Sequence, residues 1–203
     1  MPLDPENRGI LELQARAGLP PLHALSPQEA RRQFREATLP LVRQIAEEVG
    51  GVEDRRIPGP DGPIPVRIYR PRAGQPLGIL VYFHGGGWVI GDLDTHDAVC
   101  RVLTNATPCL VVSVDYRLAP EHKFPAALED CYAATAWVAR HLAGDGSSSL
   151  PVAVAGDSAG GTMAAVVALL ARDRREPSLC YQVLVYPATD LAGTTPSKQD
   201  FAP

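Results

Sequence analysis

Cysteine is scarce and scattered in this sequence. Cys100, Cys109, Cys131 and Cys180 are the only four in 203 residues. They form no C-x-x-C, and no histidine stands at metal-ligand spacing from them, so a disulfide framework or zinc site is a poor reading. Free buried thiols in a reducing cytoplasm are expected instead. Long apolar runs are missing too, and none approaches the roughly 18 residues of a membrane-crossing helix. Net charge is small: 19 Lys+Arg against 23 Asp+Glu leaves −4. That gives no reason to expect nucleic acid or an anionic membrane as a partner. The start, Met1-Pro2-Leu3-Asp4-Pro5-Glu6, lacks the basic and apolar regions of a signal peptide. Eighteen glycines and 20 prolines are too few for a collagen-like or low-complexity chain. What remains is one ordinary domain, or one domain with a small extension, long enough to bury a core.

Residues 1–50 read as helical and amphipathic. Ser26-Pro27-Gln28-Glu29 has the pattern of a capping box with proline at the first helical position. Phe34, Leu41 and Ile45 supply an apolar face. Two short extended runs follow, Val52 to Ile57 and Ile64 to Tyr69, with Pro60-Asp61-Gly62 as the turn of a hairpin. Then the rhythm changes. Apolar runs at Gly78–Phe83, Leu110–Val114, Pro151–Ala155 and Leu179–Tyr186 read as buried strands. Helices are expected over Thr95–Thr107, Pro125–Leu142 and Ala159–Arg172. The stretch Gly144 to Ser149 reads as an exposed connection. Strands alternating with helices imply an α/β fold, a mostly parallel sheet with helices on both faces.

Chemistry concentrates in two places. Gly156-Asp157-Ser158-Ala159-Gly160 is a G-x-S-x-G that follows a buried strand and precedes a helix, the context of a nucleophile elbow. Its glycines permit a tight turn that lifts the Ser158 hydroxyl clear of the sheet. The helix start supplies N–H groups and positive dipole. The second place is His84-Gly85-Gly86-Gly87-Trp88, at the end of an apolar strand. Bare glycine amides there admit a substrate oxygen closely. With the N–H of Ala159 they form a candidate oxyanion hole. A phosphate nest is the rival for such a loop, but no helix and lysine follow. His84 reads as a hydrogen-bonder that orients the loop rather than a base.

Together, these two motifs resemble the hormone-sensitive-lipase-like (bacterial type IV) family of α/β-hydrolases. Three further stretches share the resemblance: Trp88 to Asp97, Asp115 to Ala127, and Tyr186-Pro187-Ala188-Thr189-Asp190. The resemblance implies an α/β-hydrolase fold over residues 51–203, and residues 1–50 as the N-terminal part of a helical cap. It implies Ser158 as nucleophile and the backbone of Gly85, Gly86, Gly87 and Ala159 as oxyanion hole. His84, Gly156, Asp157 and Gly160 support the motifs. A carboxylesterase acting on small acyl esters follows, with no metal or cofactor implied and homo-oligomerisation of a full-length parent left open.

The sequence departs from the family in one respect. The triad acid and histidine should follow the nucleophile. After Ser158 come only Asp173, Glu176, Asp190 and Asp200, and no histidine; the five are His23, His84, His96, His122 and His141. The expectation is a chain lacking the C-terminal strands that carry those partners. Neither His84 nor His96 shows an evident orienting carboxylate in the sequence. A catalytically silent binding module is the alternative from a different class. An amidase or lactonase shares the same tetrahedral intermediate and stays open. Asp115-Tyr116-Arg117 reads as a polar network beneath the site, Glu121 and His122 as helix-entry contacts, and Asp190 as structural.

Overall fold

A computed structural model describes residues 4–144 and 149–200. Of the connection expected from Gly144 to Ser149, residues 145–148 lie outside the described residues. Helix α1, Pro5–Ala17, starts where the Asp4 carboxylate accepts the Glu6 N–H at 2.9 Å. Helix α2, Pro27–Ile45, carries the capping box read from the sequence. Ser26 Oγ accepts from Glu29 N at 3.3 Å, and Glu29 Oε2 accepts from Ser26 N at 3.1 Å. The expected apolar face of α2 is corrected. Leu41 and Ile45 are 60% and 63% exposed, whereas Ala30 and Val42 are buried. Val42 shares its helical stripe with Arg31 and Arg35, and both arginines make ion pairs with the body of the protein. Charge contacts, not the apolar stripe, set the rotation of this helix.

Strands β1, Gly51–Gly59, and β2, Gly62–Arg70, form the expected antiparallel hairpin, closed by a Gly59–Gly62 pair around Pro60 and Asp61. Strands β3 (Gly78–Phe83), β4 (Cys109–Val114), β5 (Val152–Asp157) and β6 (Tyr181–Val185) are parallel to one another. The order across the sheet is β1-β2-β4-β3-β5-β6, with β2 joined to β4 antiparallel. The crossovers between the parallel strands run through α3 (Asp97–Ala106), α4 (Ala126–His141) and α5 (Ala159–Arg174). Helix α3 begins two residues later than expected. Asp92 Oδ1 accepts from the N–H of Asp94 and Thr95, at 3.0 and 2.8 Å, and holds a turn there instead. A five-residue helix α6, Pro196–Asp200, follows β6.

Alternate residues of the strands feed two cores. One face packs Val81, Phe83, Val112 and Val114 against Cys131, Ala134 and Val138 of α4 and Ala164 and Val167 of α5. The other packs Leu80, Tyr82 and Val111 against Cys100 of α3. Helices therefore cover both faces, as the alternating pattern implied. The thiol expectation holds in half of the cases. Cys100 and Cys131 are buried, Cys109 is half-buried at the start of β4, and Cys180 is exposed beside the edge strand. Strand β6 is that edge, with Tyr181 70% and Val185 41% exposed. Among the described residues no helix is long and apolar enough to cross a membrane.

Candidate active site

Parallel register brings the two motifs together. Phe83 of β3 pairs with Gly156 of β5, so the chain beyond each strand leaves the sheet on the same side, next to the other. Ser158 then turns at φ 51° and ψ −118°, immediately before α5. A non-glycine residue in such a conformation stores about 1–3 kcal/mol and persists only where its surroundings hold it. They do. Its N–H donates to the Val185 carbonyl of β6 at 2.9 Å, and its carbonyl accepts the Thr162 N–H at 3.0 Å. A Cβ on Gly160 would overlap the Phe83 carbonyl oxygen and lie 2.6 Å from that of His84. One on Gly156 would lie 2.6 Å from the same Phe83 oxygen. Only glycine lets helix α5 start this close to the end of β3. The Ser158 side chain is half-buried, and its Oγ caps nothing in the helix.

The glycine run departs from the expectation of three open amides. Gly85 N–H donates to Asp157 Oδ1 at 2.9 Å, so it is already spent. A Cβ there would overlap the Asp157 carboxylate. Gly86 and Gly87, at φ 123° and 59°, find no acceptor for their N–H groups among the described residues, and neither does Ala159. The loop closes on itself, since Gly86 O accepts from Val89 N and Ile90 N at 3.1 and 3.0 Å. Free donors thus remain at Gly86 and Gly87, in the loop after β3, and at Ala159, directly after the strained serine. Free N–H donors of this kind are what a developing oxyanion requires.

Asp157 is the knot of the site. Its Oδ1 also accepts the Tyr82 hydroxyl at 2.6 Å, and His96 Nε2 stands 3.8 Å away. Burial works to raise its pKa, but His96, Tyr82 and the Gly85 N–H outweigh that and hold it below the ordinary value. His96 therefore does have a carboxylate beside it, contrary to expectation. No sequence spacing signals a pair 61 positions apart.

His84 is fully buried. Desolvation first, then His96, pushes its pKa down to about 4. It is neutral near pH 7, and its Nδ1 lies 2.8 Å from Gly85 O, a carbonyl that can only accept. The ring stacks on Tyr116 at 4.3 Å, whose hydroxyl donates to His84 O at 2.6 Å. This agrees with a loop-orienting role.

The expected Asp115-Tyr116-Arg117 network is instead two separate attachments, made by Tyr116 and Arg117. Tyr116 serves His84. Arg117 grips the buried Asp130 with Nε and Nη2, at 2.8 and 2.9 Å. Asp115 is half-buried, and its pKa is pushed up to about 6 by burial and then by Asp92 and Asp94. Glu121 pairs with Arg31 of α2 rather than serving its own helix. Asp190 is exposed, its carbonyl accepting from Lys198. Arg31, Arg35 and Tyr82 escaped the sequence reading. A tyrosine near the end of the buried run that leads into H-G-G-G, and two arginines four apart on helix α2, were the available signals.

A family model described as alpha/beta hydrolase fold matches residues 80–202. The carboxylic ester hydrolase LipN of Mycobacterium tuberculosis is 50% identical over 168 residues, which are 77% of this chain and 44% of that protein. An arylesterase of Saccharolobus solfataricus is 42% identical over 92% of this chain and 60% of its own length. Among solved structures, a hyperthermophilic esterase from the archaeon Pyrobaculum calidifontis superposes with a TM-score of 0.89 at 49% identity, covering 98% of this chain and 64% of that one. The chain spans about half the length of the curated relatives it matches. On the family match and the shared architecture, this chain belongs to the α/β-hydrolase fold family.

Proposed function

We propose that the chain carries the nucleophile and oxyanion hole of a carboxylic-ester hydrolase for small acyl esters. Residues 1–50 act as a cap segment over a catalytic region, 51–203. Ser158 Oγ bonds to the acyl carbon while its proton passes to a base. The carbonyl oxygen becomes an oxyanion held by the N–H groups of Gly86, Gly87 and Ala159. The alcohol leaves with a proton, and water then hydrolyses the acyl-enzyme. One such donor lowers the barrier by on the order of 3 kcal/mol. Gly85 stands behind the hole rather than in it, fixing the loop to Asp157. His84 orients the loop, and Gly156 and Gly160 make room for the elbow.

The observation that carries this reading is the strained φ of Ser158 beside three unpaired amides. The names of the three relatives described above, a carboxylic ester hydrolase, an arylesterase and an esterase, support it. A second reading, a silent module that binds carbonyl ligands, draws on the serine hydroxyl. Among the described residues no imidazole is hydrogen-bonded to it, and a serine without a base is a weak nucleophile.

Fluorophosphonate labelling decides between them. Free imidazole can stand in for the base. Labelling should be slow in buffer, accelerate with imidazole, and vanish in Ser158→Ala. Absence of Ser158-dependent labelling under either condition would leave the silent module. Fast labelling without imidazole would show that a base within the chain already serves the serine.

A further inference from the structure

Helix α2 reaches Val89, just beyond the glycine run, through the Arg31 side chain. Arg31 is only 26% exposed. Its Nε donates to Val89 O at 2.7 Å, and its Nη2 donates to Ala119 O at 2.8 Å. The same guanidinium meets both carboxylate oxygens of Glu121, at 2.9 and 2.7 Å. Ala119 N in turn donates to Trp88 O at 2.8 Å. The two carbonyls that follow Gly87, those of Trp88 and Val89, are thus both held from the Arg31 side, one directly and one through Ala119.

What they hold is under strain. Trp88 sits at φ 62°, a left-handed conformation that an indole side chain does not favour. Gly86 and Gly87 precede it at positive φ. Rotation of the peptides after Trp88 and Val89 would withdraw the Val89 and Ile90 N–H groups from Gly86 O, at 3.1 and 3.0 Å, and free the Gly86–Gly87 peptide, which carries the Gly87 N–H, to turn. An oxyanion hole works only when its donors are aimed before the reaction begins.

We propose that Arg31 is a positioning residue for the oxyanion loop. It ties the placement of helix α2 to the direction of the Gly86 and Gly87 N–H groups. The proposal rests on the ester-hydrolase reading for what those amides do, but the tether itself can be measured without it. Arginine is suited to the task because its rigid fork reaches two carbonyls and a carboxylate at once. Lysine supplies one compact charge and can satisfy only part of the set. Arg35, one turn further along, pairs with Asp92 and with Asp94 at 2.8 Å and anchors the helix beside the tether.

The test compares the unsubstituted chain with Arg31→Met and Arg31→Lys by two readouts. Hydrogen exchange over residues 85–90 reports the loop, with exchange in β3, β4 and β5 as the folding control. The rate of imidazole-assisted labelling of Ser158 reports the oxyanion hole. In Arg31→Met, exchange over 85–90 should rise roughly tenfold while the strands stay protected. Labelling should slow on the order of tenfold, the scale of effect expected from a small misplacement of reacting groups. Arg31→Lys should recover part of both. Unchanged exchange over 85–90 in Arg31→Met would overturn the tether. Faster exchange with an unchanged labelling rate would overturn its role in the hole. If the unsubstituted chain does not label at Ser158 at all, the ester-hydrolase reading falls, and the exchange result alone decides whether Arg31 holds the loop.

Discussion

Asp115 and His84 should titrate against each other. In the folded chain His84 stays neutral down to about pH 4, whereas an ordinary histidine takes up its proton near 6.5. Between those values the unfolded chain binds more protons, so this group makes stability fall as pH falls. Asp115 has the opposite sign. Folded, it keeps its proton up to about pH 6, against an ordinary value of 3.8. Between those values the folded chain binds more protons, so stability rises as pH falls. Each group contributes at most about 1.4 kcal/mol per pH unit. Over pH 4.5–6 the two nearly cancel, and their joint contribution to the pH dependence is close to flat. Asp115→Asn removes one side of that balance. The variant should gain stability over the unsubstituted chain as pH rises from 4.5, reaching a plateau above pH 6. The full shift sets a ceiling of about 3 kcal/mol, and partial solvent access reduces it to roughly 1–2 kcal/mol. Urea unfolding followed by circular dichroism at half-unit steps from pH 4.5 to 7.5 measures the difference. A stability difference that stays constant over that range would refute the assignment of a proton to Asp115.

Glycine substitutions separate room from conformation. Gly160→Ala should cost at least about 3 kcal/mol or abolish soluble expression, because its Cβ meets the Phe83 and His84 carbonyls. Gly87→Ala meets nothing within 4 Å and carries only its left-handed φ, so its thermal melt should report about 1–2 kcal/mol. Asp157→Ala strands the Tyr82 hydroxyl and the Gly85 N–H, and should cost about 2–4 kcal/mol by urea unfolding. Asp157→Asn keeps one acceptor oxygen and should lose less. Equal losses in the two would point to the charge rather than the hydrogen bonds.

Most of the architecture could be read from local pattern. All four apolar runs became parallel strands, and three of them, β3, β4 and β5, are buried because a strand covered on both faces admits mainly apolar residues. The fourth, β6, was expected to be buried but lies exposed at the sheet edge. The elbow was visible because strand, tight turn and helix follow one another within a dozen residues. What stayed hidden depends on partners far apart in sequence. Gly85 looked as open as Gly86 and Gly87, and only the fold brings the Asp157 carboxylate to its N–H. The apolar face of α2 misled for a similar reason. Phe34, Leu41 and Ile45 have the right spacing, but Arg31 and Arg35 find Glu121, Asp92 and Asp94 only once the loops after β3 and β4 are in place. Periodicity reports which residues share a stripe, and it cannot weigh that stripe against ionic contacts formed across the fold.

The outermost strand bears on the chemistry through one peptide group. The backbone amide of the strained serine hangs on the carbonyl of Val185, and Val185 ends the least covered strand of the sheet. The Ser158 hydroxyl can therefore be no steadier than the rim that suspends it. Whatever clamps that rim would stiffen the Ser158 turn without touching it, and whatever peels it away would let the turn unwind.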